Sequence, residues 1–93
     1  MKTLSLVPYE IPTDPPRPYP IKDALVNVLF GQAGLRAREV LRRDDIARKI
    51  LAADDQTLLL EDAEYDQLKA AFEANEGFGR YDVELVRRVF SVV

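Results

Sequence analysis

The sequence predicts a mainly α fold of four or five short helices, preceded by an extended Pro-rich arm. An optional two-stranded ribbon would make the class α+β. Three observations carry this. All six prolines fall within the first twenty residues (Pro8, Pro12, Pro15, Pro16, Pro18 and Pro20). From Ile21 onward, apolar residues recur at helical spacing. Acidic residues and glycines punctuate those runs as starts and stops. The boundaries that follow are an arm over 1–20 and a helical domain over 21–93.

Proline removes a backbone donor and fixes φ, so the arm can be neither a helix nor a central strand. It is expected to run extended, partly as polyproline II, after a short strand at 3–7. Tyr9, Ile11, Tyr19 and Ile21 are spaced through it. A free linker would be rich in glycine and serine instead, so the arm should lie on a surface, either its own core or a neighbouring subunit.

Pro20 suits the first position of a helix. Ile21, Ala24, Leu25, Val28 and Leu29 form the stripe of that helix, Val26 and Phe30 widen it, and Gly31 and Gly34 end it. Residues 35–53 read as helical, with Ala37, Val40, Leu41, Ala47, Ile50 and Leu51 on one face. Asp44 and Asp45 interrupt the pattern, and either can cap a new helix, so one bent helix and two short ones are both open. Asp44 with Arg48 and Asp45 with Lys49 stand at i, i+4, where each pair adds roughly 0.3–0.5 kcal/mol.

Asp54-Asp55-Gln56 is a turn. Thr57-Leu58-Leu59-Leu60 is a strand or a buried loop, and residues 3–7 are its natural partner if it is a strand. So small a ribbon needs helices to pack on. Asp62 is expected to cap a helix carrying Tyr65, Leu68, Ala71 and Phe72, closed by Gly77. Asp82 is expected to cap a last helix with Leu85, Val86, Val89 and Phe90 inward, ending at Val92 and Val93.

Composition excludes much chemistry. The 93 residues contain no cysteine and no histidine, which removes disulfides, zinc fingers and imidazole acid–base systems. Hydrophobic residues make up 47%, enough for a packed core. The first eight residues lack the apolar stretch of a signal peptide, and no run nears the roughly 20 apolar residues a membrane span needs. The expected location is the cytoplasm (that of a host cell) or a virion, with no membrane partner.

A net charge of −3 hides an asymmetry. Arg36, Arg38, Arg42, Arg43, Arg48 and Lys49 outweigh three acidic groups in 36–49, a net of +3. Residues 54–82 carry nine acidic groups against Lys69 and Arg80, a net of −7. Opposite patches suit contacts between copies or a charged partner. Two solvated helix faces are the plainer explanation.

No motif names a reaction. The pairs Asp44–Asp45, Asp54–Asp55 and Glu61–Asp62 lack the alternating spacing of a calcium loop. Gly31-Gln32-Ala33-Gly34 has no lysine for a phosphate. Ser5 and Ser91 have no histidine to activate them. Asp45–Ile50 resembles the first helix of a helix-turn-helix, but an acidic helix follows where a basic recognition helix should be, so duplex reading is not expected. Pro12-Thr13-Asp14-Pro15 fits a short P-x-x-P ligand. No catalytic, cofactor or metal residue is assigned, and no cofactor is expected.

The stretch Leu58-Leu59-Leu60-Glu61-Asp62-Ala63-Glu64-Tyr65-Asp66-Gln67-Leu68, with the opening Glu10-Ile11-Pro12-Thr13-Asp14-Pro15-Pro16, resembles small accessory proteins of bacteriophages and prophages. The resemblance is one of style without a diagnostic motif. It implies an assembly, cement or chaperone role, or an effector that binds a host protein, and it brings no functional residues with it.

The function expected is therefore that of a non-enzymatic protein-binding subunit, a phage-like structural, cement or assembly protein that self-associates or docks on a larger assembly. An acidic inhibitor of a host protein and a small nucleic-acid-binding regulator are the alternatives. The partner is expected to be protein, either further copies of this chain or phage structural proteins. Contacts are expected at Tyr9, Ile11 and Tyr19 on the arm, and at Phe90, Val92 and Val93 at the C-terminus.

Overall fold

Leucines alternating along two distant segments build the first element of the fold. In a computed structural model describing residues 1–92, β1 (Lys2–Ser5) pairs antiparallel with β4 (Thr57–Leu60). Leu4 stands opposite Leu58, and Lys2 opposite Leu60. The side-chain period of two sends Leu4, Leu58 and Leu60 into the core and leaves Leu59 outside at 54% exposure. Leu6 N–H donates to Gln56 O at 2.8 Å and extends the ladder by one step. The ribbon anticipated from sequence is therefore present, with its first strand over 2–5 rather than 3–7.

Four α-helices complete the described residues: α1 (Ile21–Phe30), α2 (Ala37–Ala52), α3 (Asp62–Ala74) and α4 (Val83–Phe90), the last entered through a 3₁₀ turn at Arg80–Asp82. The class is α+β. The first twenty residues also hold a second, unanticipated hairpin, β2 (Glu10–Ile11) with β3 (Arg17–Pro18). Proline is tolerated in β3 because the hairpin has only two strands and an open edge. Leu4, Leu6 and Tyr19 join the same core as the helices.

Helix starts differ in detail from the sequence reading. Pro20 precedes α1 as its cap, its carbonyl accepting from Ala24 N–H at 2.9 Å. Glu61, not Asp62, is the cap of α3, and Glu64 Oε1 accepts from the Glu61 amide at 2.9 Å. The C-terminal end of α3 is Asn75 in extended conformation. Gly77, at φ +92°, therefore serves the loop beyond the helix, where a left-handed backbone suits glycine.

Helix α2 departs furthest from the sequence pattern. It is one continuous helix of 16 residues, and Asp44 and Asp45 lie within it without breaking it. Its buried face is Arg43, Ile46, Ala47 and Ile50. Val40, Leu41 and Leu51, assigned to that face from sequence, are 38%, 66% and 58% exposed. The phase is set by Arg43, whose Nη1 donates to Leu29 O and to Gln32 Oε1, both at 2.8 Å. A cation there meets carbonyls left without helical partners at the end of α1. The arginine stem packs like an apolar side chain, so a charged residue occupies a core position.

Elsewhere the inward faces match expectation. Ile21, Leu25, Val28 and Leu29 of α1 are buried, as are Tyr65, Leu68, Ala71 and Phe72 of α3 and Leu85 and Val89 of α4. Phe30 and Phe90, also assigned inward, are 39% and 40% exposed. The ribbon lies across these helices, β4 touching α2 and α3 while β1 touches α4.

Candidate interaction surfaces

Two tyrosines from the Pro-rich segment meet the last helix. The rings of Tyr9 and Tyr19 stack at 4.9 Å between centroids and 14° between planes. Hairpin pairing makes this possible, because Tyr19 N–H donates to Tyr9 O at 2.9 Å and brings the two side chains to one place. The Tyr19 hydroxyl donates to Asp82 Oδ1 at 2.5 Å. Arg88 places its guanidinium 4.9 Å from the Tyr9 ring centre and donates from Nη1 to Val7 O at 2.7 Å. Asp82 Oδ2 also accepts from Gly79 N–H at 2.7 Å, so one carboxylate ties the hairpin to the turn before α4.

Burial pushes the Tyr19 hydroxyl above its ordinary range, and the bond to Asp82 pushes it further in the same direction. Tyr9 is raised chiefly by burial, with the Arg88 charge opposing. Its hydroxyl is buried without a hydrogen-bond partner among the described residues. The local sequence does not assign this role to Arg88 or to Asp82. Their only local signals are Glu84, four residues before Arg88, and the helix start at Asp82.

The six expected contact residues are thus distributed unevenly. Tyr19 is buried at 8% exposure, and Tyr9 and Ile11 are half-buried against the core. Tyr9 and Ile11 line a surface hollow of about 270 Å³ together with Pro12, Tyr81, Val83 and Arg87. Tyr81 and Val83 are 43% and 45% exposed there. At the other end, Phe90 lies edge-on to Phe72 at 6.5 Å, with Lys69 Nζ 5.9 Å from its ring centre. Val92 packs on the core. Val93 lies outside the described residues.

The charged segments are largely engaged within the chain. Arg48 bonds Asp44 at 2.8 Å, the expected i, i+4 pair. Lys49 does not pair with Asp45 as expected; it reaches Glu64 Oε1 on α3 at 2.6 Å. Partial burial works against ionising Glu64, yet the bonds from Lys49 and the Glu61 amide hold its carboxyl below the usual range. Asp54 is likewise lowered, because the amides of Thr57 and Gln56 donate to it across the turn. Asp62 lies 3.3 Å from the N-terminal amine.

A third surface was not anticipated. The face of α2 turned from the core carries Ala37, Val40, Leu41, Asp44, Arg48, Leu51 and Ala52, and every large apolar group on it is exposed. Among the described residues, no group of three or more acidic side chains converges as a metal site, and no helix is long and apolar enough to cross a membrane. Comparisons with protein-family models, curated proteins and solved structures return no match.

Proposed function

We propose that this protein is a non-enzymatic protein-binding subunit that self-associates or docks on a larger assembly, in the manner of phage structural, cement and assembly proteins. One observation carries the reading. Leu41 and Leu51 stand 66% and 58% exposed on a helix whose opposite face already completes the core. Large apolar groups clustered on one face of a small domain mark contact surfaces more often than isolated ones do. The hollow beside Ile11, Tyr81 and Val83 offers a second place for a partner segment. The chain would act in the cytoplasm of a host cell or in a virion.

An acidic inhibitor is less well supported, since Asp54, Asp62, Glu64 and Asp82 are each engaged within the chain. The test is light scattering on a sizing column over a wide concentration range. The expected mass is a multiple of the 10.6 kDa chain. A strict monomer that also fails to join any larger assembly would remove the proposal.

A further inference from the structure

The outer face of α2 is nearly its own complement when the helix is reversed. Leu41, Asp44, Arg48 and Leu51 follow one another at spacings of three, four and three, the seam of a two-helix coil. Position sums are equal for Leu41 with Leu51, for Asp44 with Arg48 and for Val40 with Ala52. A second copy laid antiparallel, with its two-fold axis beside position 46, therefore sets leucine on leucine and carboxylate on guanidinium. We propose that two copies of the chain associate through α2 in this antiparallel register.

Three features favour a second copy as the occupant. First, Asp44 and Arg48 already pair at 2.8 Å with much of both side chains in solvent, so the partner's pair can close a ring of four alternating charges. A parallel arrangement would instead set Asp44 on Asp44 and Arg48 on Arg48, which repel. Second, reversal brings the basic start of one helix, Arg36 and Arg38, towards the Asp54–Asp55 turn that ends the other. Antiparallel helix dipoles add to that attraction. Third, Leu59 shares a surface hollow with Ala52 at the end of α2, and Val40 of the other copy is the group that this register brings there. A C₂ dimer of this kind uses one patch twice, and self-complementarity is its requirement.

This inference rests on the self-association proposed above, and charge exchange separates the two. Asp44→Arg gives a face with two cations, and Arg48→Asp gives one with two anions. Each variant alone is expected to lose association at least about tenfold by light scattering. An equimolar mixture should recover it, because every cation then meets an anion. Leu41→Cys mixed with Leu51→Cys should form a disulfide-linked pair under mild oxidation, and either alone should not, in a chain that has no other cysteine. Circular dichroism checks that α2 stays folded; should a charge variant unfold, Leu41→Lys and Leu51→Lys replace the pair, and each must weaken association. A wild-type dimer indifferent to all these changes overturns the α2 register while leaving self-association standing. Loss in the single variants without recovery in the mixture also overturns it. A wild-type chain that stays monomeric overturns both.

Discussion

The hydroxyl of Tyr19 donates to Asp82 across a sequence separation of 63 residues, closing the Pro-rich hairpin onto the entrance of α4. Its stacking partner, Tyr9, has a buried hydroxyl that makes no comparable bond. Two neighbouring phenols therefore differ in what they contribute.

Removing each hydroxyl should separate them. Tyr19→Phe leaves Asp82 Oδ1 without its donor and is expected to cost about 1.5–3 kcal/mol, the range for a lost bond to a charged group. Tyr9→Phe should leave stability within about 0.5 kcal/mol of wild type, or raise it, because no bond is lost. Denaturant titration of both variants is the check.

The same contact predicts alkaline sensitivity. The folded state holds Tyr19 protonated above its ordinary range, so its contribution is complete below pH of about 10 and is lost as the pH rises further. Thermal midpoints should fall above that pH in wild type and fall less steeply in Tyr19→Phe.

Acid should act through the carboxylates. Asp54 and Glu64 are lowered in the fold, so their contribution is complete above their unfolded values of about 4 and lost as the pH drops below them. Melting curves between neutral pH and the acid limb should show this decline, and Asp54→Asn with Glu64→Gln should flatten it. An unchanged slope would mean that neither group is coupled to folding.

Arg43 is expected to behave as a core residue. Arg43→Met keeps a long apolar stem but removes the bonds to Leu29 O and Gln32, a loss of about 1.5–3 kcal/mol. Arg43→Ala should cost more, since the stem packing goes too. By contrast, Arg42→Ala on the exposed side should change stability by no more than about 0.5 kcal/mol.

The two kinds of leucine in the chain should also part company. Leu58→Ala removes a fully buried side chain and should destabilise by about 2–5 kcal/mol. Leu41→Ala, measured at a dilution where the chain is monomeric, should shift stability by about 0.5 kcal/mol at most. Equal effects would place Leu41 in the core after all.

Where residues alternate or repeat cleanly, local pattern was enough to read the fold. The pairing of Leu4 with Leu58, the α1 stripe and the four buried residues of α3 all follow from periods of two and 3.6. The phase of α2 did not, because an arginine holds a core position there and a count of apolar residues alone rotates the helix towards Leu41 and Leu51. Lys49 chose Glu64 over Asp45 for a related reason: a partner on another helix is invisible to an i, i+4 rule. The clasp of Tyr9 and Tyr19 on Arg88 and Asp82 is likewise tertiary. The two tyrosines stand more than sixty residues before Asp82 and Arg88, and the hairpin at 10–18 brings them into reach together.

The pairing of β1 with β4 also bears on how the chain is made. Ser5 leaves the ribosome well before its partner Thr57, which follows only after two complete helices. At ordinary synthesis rates of about 5–20 residues per second, the first strand waits several seconds with Leu4 and Leu6 uncovered. Helices α1 and α2 rest on local contacts and can form in that interval, whereas the ribbon must close late and slowly. Strand β1, translated well before its partner, is then among the last elements to find its place.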